Sequence, residues 1–143
     1  MMIREAEPKD KIELIQLALD FAREQSEFGV TPDVGELSRH IDLMIESDGF
    51  AVFVAEKDGI VVGTIGLAVQ YNFLTSEVSC MKMVWIVSPK HKGAGLPLIK
   101  AGEAWAKGQS ATVFIVGSMD KPTSELLKKL KFKPQELLFR KDI

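Results

Sequence analysis

The stretch VSPKHKGAGLPLIKAGEAWAKG, Val87–Gly108, decides how this chain folds. An apolar run ends in it, then come Lys90, His91, Lys92, Gly93 and Gly95, and then Leu98, Ile99, Gly102, Trp105 and Ala106 recur at helical spacing. The order reads as strand, loop, helix. A helix that begins just past a strand presents backbone N–H groups with no intrahelical partner, at the positive end of its dipole. Glycines let a phosphate approach such a backbone closely, and the lysines raise the local potential. An exposed loop of the same composition is the alternative reading. Pro97 bears on the choice, because it lacks the N–H a cradle would use, yet proline is favoured in a helix's first turn.

Upstream, VSCMKMVWIV (Val78–Val87) is a long strand that feeds the loop, and downstream TVFIVG (Thr112–Gly117) is a short, β-branched buried strand. Strand, helix, strand is a crossover unit, so these two strands are expected to run parallel with a right-handed connection. Earlier, FAVFVAEKDGIVVGTIGLAV holds two strands on either side of Lys57-Asp58-Gly59, the chemistry of a hairpin turn. A short strand, Met2–Ala6, opens the chain, and Leu14, Leu17, Ala18, Phe21 and Ala22 mark the inner face of a first helix. Thr31-Pro32-Asp33 signals a second helix, with the threonine hydroxyl as cap before a first-turn proline, and Leu37, Ile41, Met44 and Ile45 form its inner face. A fourth helix over Thr123–Leu130 and a last strand around Glu136–Arg140 complete an α+β (α/β) arrangement with a mixed, mostly antiparallel sheet.

At 143 residues, 46% hydrophobic and 27% charged, the chain has the size and apolar content of one domain, expected to span residues 1–143. A formal net charge of −2 argues against a nucleic-acid binder, whose affinity rests on a basic face. The single cysteine, Cys80, forms no internal disulfide or metal pair and reads as a small buried apolar side chain in a reduced, cytoplasmic setting. No apolar run approaches the ~20 residues of a membrane span. Two nucleotide motifs are excluded as well. No Gly-Lys-Ser/Thr closes the loop, and the loop does not follow the first strand of a parallel sheet as a dinucleotide fingerprint would.

The strand order, together with V-x-P-x-x-[K/R]-G-x-G-[LIV] given by Val87, Pro89, Lys92, Gly93, Gly95 and Leu96, resembles the GNAT acyltransferases. The likeness covers essentially the whole chain, from MIREAEPKD to SELLKKLKFKPQELLFRK. It implies a six- to seven-stranded sheet with about four helices, the fourth and fifth strands parallel and splayed. It implies acetyl-CoA as co-substrate and no metal, with the amides of Gly93, Ala94, Gly95 and Leu96 beside Lys92 on the pyrophosphate. Trp85 and Val87 would pair with pantetheine along the edge of the fourth strand. Asp120 stands where the family often has a pantetheine-contacting asparagine. Register from Val87 and Pro89 puts Lys92 at the family's Arg/Gln position, Gly95 at its first glycine and Pro97 at its second. A rival frame, Lys90 with Gly93 and Gly95, matches the glycines but is two residues out of step with the strand.

The catalytic groups are harder to place. An amine with pKa about 10.4 must lose a proton before it attacks a thioester. Where one branch of the family carries a glutamate on the fourth strand, this chain has Met81, so Glu77 is the candidate base, and His91 reads as a loop residue near phosphate. A main-chain N–H near Ile86 would hold the oxyanion. The family's tyrosine acid falls at Leu127, which leaves Ser118 or Ser124 as donors, and Lys131 replaces the glycine before Phe132. For the acceptor, Glu24, Glu27, Asp33 and Glu36 offer negative charge to a cationic amine, and Tyr71 and Phe73 an apolar wall. The expectation is an acetyl-CoA-dependent N-acetyltransferase acting on a primary amine by direct attack, monomeric or homodimeric, with neither nucleic acid nor membrane as partner. A CoA-binding protein of the same fold that has lost catalysis, acting as a sensor, is the alternative, and a small nucleotide-binding module stands behind both.

Overall fold

The structure is a computed structural model that describes residues 1–25 and 31–143. Along the chain run β1 (Met2–Glu5), α1 (Lys11–Glu24), α2 (Val34–Glu46), β2 (Phe50–Lys57), β3 (Ile60–Tyr71), β4 (Val78–Val87), α3 (Gly95–Gly108), β5 (Val113–Ile115) and α4 (Lys121–Lys129). The strands form one sheet in the order β1-β2-β3-β4-β5. All neighbours are antiparallel except β4 and β5, which are parallel, as the crossover through α3 requires.

Side chains alternate across this sheet and sort into two apolar layers. Val52, Val54 and Val61 pack with Leu14 and Leu17 of α1 and with Ile41, Met44 and Ile45 of α2. Ala55, Val62, Ile65, Leu67 and Cys80 face Leu98, Ile99 and Ala106 of α3 on the other side. Leu130 and Phe132, at and just beyond the end of α4, join this second layer, with Phe132 tilted against Phe114 at a centroid distance of 5.7 Å. Gly102 lets α3 lie close: a Cβ there would be 3.1 Å from Phe114 Cζ and 3.3 Å from Leu67 Cδ1. The hairpin turn is Asp58-Gly59, with both residues at positive φ, 52° and 77°, the geometry that matches the twist of the flanking strands.

One ionic knot ties the start of the chain to the sheet. Asp10, 2% exposed, accepts from both terminal nitrogens of Arg4 at 2.8 and 2.9 Å and from the Glu7 amide at 2.8 Å. Arg4 Nε donates to Glu56 of β2 at 3.3 Å. The Arg4 hydrogen bonds hold the Asp10 carboxyl below the ordinary carboxylate range against the opposing effect of burial.

Three expectations are corrected. The sheet has five strands among the described residues, short of six or seven. Residues 132–143 form no strand: Leu137, Leu138 and Phe139 are 81, 85 and 90% exposed and make no strand pairing. The cap of α2 is the Asp33 carboxylate, which accepts from the Glu36 amide at 3.0 Å, so the helix starts at Val34, beyond Pro32.

Candidate functional site

Pairing between β4 and β5 covers Ser79–Met81 of β4 against Val113–Ile115 of β5, then stops. From Lys82 to Val87 the β5-side edge of β4 has no partner strand, a row of main-chain groups that a ligand can pair with. The strand register says which groups these are. Ser88 N–H donates to Val62 O at 2.8 Å, and Ile86 lies opposite Thr64 two residues earlier, so by alternation the Ile86 N–H also points at β3. That places the main-chain groups of Trp85 and Val87 on the open edge and removes the Ile86 N–H as an oxyanion donor. A register shift opposite Gly66 and Leu67 gives β4 one extra residue, Met83, within this open half.

At the upper end of the open edge, the expected loop is ordered as helix. Residues Pro89–Ala94 form a 3-10 segment, broken at His91 (φ −133°, ψ 43°), that runs directly into α3. Within it, the Gly95 amide donates to Lys92 O, so one of the proposed cradle amides already has a partner. Pro97 sits in the first turn of α3, where its missing N–H breaks no intrahelical bond. The two glycines differ in what surrounds them. A Cβ on Gly95 would touch Trp85 Cζ2 at 3.4 Å, whereas a Cβ on Gly93 would meet nothing within 4 Å. Gly95 is packed against protein and Gly93 faces open space. Lys92 is exposed beside them.

Trp85 supplies the clearest sign of an absent partner. Its Nε1 is buried with no hydrogen-bond acceptor among the described residues, and its ring edge lies against Gly95 at the start of α3. Buried donors are satisfied in the great majority of cases. The indole N–H stands between the open strand edge and the helix start as a donor that an oxygen atom could meet.

Lys82, at the lower end of the open edge, was not singled out from the sequence. It pairs in register with Leu67, which faces α3, so its side chain lies on the α3 and α4 side of the sheet. Its ammonium is 4.0 Å from where a Cβ on Gly117 would stand. Burial alone lowers its pKa, and no carboxylate pairs with it among the described residues.

Other expected residues fall elsewhere. Glu77 lies before β4, exposed, with the paired segment Ser79–Met81 between it and the open edge, and its amide donates to Thr75 Oγ1. Asp120 caps α4 by accepting from the Thr123 amide at 2.8 Å. The Ser118 and Ser124 hydroxyls lie 2.8 Å apart, each also within hydrogen-bond reach of Asp120 O, so one donates to that carbonyl and the other to its partner hydroxyl or to the same oxygen. Leu127 is buried. Tyr71 and Phe73 are 80 and 97% exposed, so neither forms a wall. Asp33 is spent on its cap, Glu36 pairs with Arg39 at 2.6 Å, and Glu27 lies outside the described residues.

Negative charge near the end of β4 comes instead from α1. Asp20 and Glu24 line a small cavity of about 50 Å³ against Ile86, Val87 and Ser88. A second cavity of about 240 Å³ continues from Asp20 and Ser88 to Glu13 and His91, whose Nδ1 is buried without a partner. Among the described residues no group of three or more His, Cys, Asp or Glu could hold a metal ion, and no helix is long and apolar enough to cross a membrane.

The mixed sheet, with its one parallel pair parting below the start of α3, is matched by a family likeness in the sequence. Residues 19–132 match the acetyltransferase (GNAT) family, and the chain belongs to that family. Solved structures of similar fold include an acetyltransferase from Trypanosoma brucei, at 20% identity and a TM-score of 0.78 over 99% of both chains. An aminoglycoside 6'-N-acetyltransferase from Acinetobacter haemolyticus matches at 18% identity and 0.76 over 100% of this chain and 99% of that one. An aminoglycoside N-acetyltransferase in complex with CoA matches at 17% identity and 0.79 over 99% and 93%. No curated protein sequence matches the chain.

Proposed function

We propose that this protein, acting as one domain over residues 1–143, transfers an acetyl group from acetyl-CoA to a primary amine in a ternary complex. The observation that carries the reading is the open β4 edge from Lys82 to Val87, ending beside an unpaired indole N–H at the start of α3. Pantetheine pairs with the main chain of Trp85 and Val87, and its oxygen takes the Trp85 N–H. The pyrophosphate lies over Gly93, with Lys92 as counter-charge and the amides of Ala94 and Leu96 as donors. Gly95 serves chiefly by its lack of a side chain against Trp85. Asp120 acts by fixing the start of α4 beside the coenzyme.

The acceptor enters from the α1 side, where Asp20 and Glu24 attract a cationic amine to the end of β4. Two of the neighbouring structures are aminoglycoside acetyltransferases, which supports a polycationic acceptor. No carboxylate stands on the open half of β4, so the ammonium loses its proton to water or to an α1 carboxylate before attack. That same vacancy favours the second reading, a protein that binds CoA without transferring the acyl group.

Release of CoA thiol from acetyl-CoA, measured against aminoglycosides, polyamines and peptides with free amines, tests the proposal. Acceptor-dependent thiol release with a matching mass gain of one acetyl group is expected. Saturable CoA binding without transfer to any acceptor of the panel would replace the first reading with the second.

A further inference from the structure

We infer that the Lys82 ammonium is the counter-charge to the thiolate sulfur that leaves as the acyl group is transferred. This rests on the open β4 edge being the berth of the coenzyme. The edge has two distinct ends. Its upper end, at Val87, meets the start of α3, and its lower end closes where Met81 pairs with Ile115. A coenzyme with its pyrophosphate at the upper end and its pantetheine along the edge must carry its thiol toward the closed end. Lys82 is the first residue above that closure.

The side chain points the right way for the task. Lys82 lies on the α3 and α4 side, and its ammonium stands by Gly117 in the segment that leads from β5 to α4. Here α4 itself presents Leu127, buried and unable to give a proton. The neighbouring titratable groups are otherwise committed: Cys80 is fully buried with its thiol pushed up to about 11, and the Asp120 carboxylate accepts from the Thr123 amide. A half-buried ammonium with no carboxylate partner is costly to keep unless a negative charge arrives during function.

The step balances as follows. The neutral amine forms a bond to the acyl carbon, the carbon–sulfur bond breaks, and its electron pair remains on sulfur. Lys82 Nζ keeps its proton and stands as the counter-charge of that thiolate. The new amide nitrogen sheds one proton to solvent, and the thiolate takes one from solvent as CoA departs.

The test uses bound CoA and needs no acceptor. The thiolate absorbance of CoA, at saturation with the full-length protein, is titrated in the wild type, in Lys82→Met and in Lys82→Arg. With the wild type, the bound thiol should titrate about 1 unit or more below its free value, the effect of an adjacent opposite charge. Lys82→Met should abolish that shift, and Lys82→Arg should retain it. Cys80, titrating near 11, stays silent over this range. A bound thiol that titrates identically in the wild type and in Lys82→Met, both folded by melting curve, overturns the inference alone. Failure of CoA to bind the wild type overturns the berth itself and the inference with it.

Discussion

Gly93→Ala separates a ligand-cradling backbone from an ordinary surface turn. The new Cβ meets nothing within 4 Å, and the residue is not at positive φ, so the fold has no reason to resist it. Replacing glycine at such a position restricts the unfolded chain and should stabilise the free protein by about 0.4–1 kcal/mol. At this chain length that is a rise in Tm of about 1–4 °C. The same methyl group occupies the open space that the proposal gives to a pyrophosphate oxygen. Losing one charge-assisted hydrogen bond there costs about 1.5–3 kcal/mol, which weakens CoA binding about 12- to 150-fold. Differential scanning calorimetry and isothermal titration calorimetry read the two quantities on one sample. Opposite signs, a more stable protein that binds CoA less well, are the expected result. A Kd within twofold of the wild type would refute the assignment of Gly93 to the pyrophosphate. A fall in Tm would refute the claim that its environment is open.

Asp10→Asn removes the carboxylate charge and one of its two acceptors for Arg4, which keeps Glu56, and should cost about 1.5–3 kcal/mol, visible as a drop in Tm of about 3–12 °C. The depressed Asp10 carboxyl contributes stability above its unfolded value near 3.8, lost as pH falls through the lower folded value. Acid unfolding curves should therefore show a steeper decline below pH ~4 in the wild type than in Asp10→Asn. Gly66→Ala forces a Cβ to within 2.8 Å of Val84 Cγ1 and 3.0 Å of Met44 Cε. It should destabilise by about 1–3 kcal/mol in urea titrations, because α2 packs there against the shifted register of β4.

Much of this fold is legible along the chain because its signals are local. Helical spacing marks the inner faces of α1 and α2, Asp58-Gly59 dictates its turn by its φ requirements, and β4, α3 and β5 in succession force a parallel pair. What is not legible depends on partners distant in sequence. Glu136–Arg140 carries the pattern of a strand, but it pairs with no strand of the sheet. Thr31 and Asp33 both suit a cap, and only the position of Glu36 decides between them. Within the site, Trp85 and Val87 can be placed on an edge from the motif's register. That Ile86 turns its N–H to β3 requires the pairing of Ser88 with Val62. Lys82 has no motif to announce it, since its place is defined by where β5 stops pairing. Asp20 was missed for a similar reason: on α1 it looks like any solvated helix carboxylate until the end of β4 is set against it.

Whether the open edge of β4 and the start of α3 hold CoA is read by an amide-resolved NMR titration with CoA. The largest shifts are expected at the Trp85 indole N–H and at the amides of Trp85, Val87, Gly93, Ala94 and Leu96, with the Ile86 amide changing far less. Saturable binding whose largest shifts fall along α1 and around His91, with the Trp85 indole unmoved, would contradict that placement.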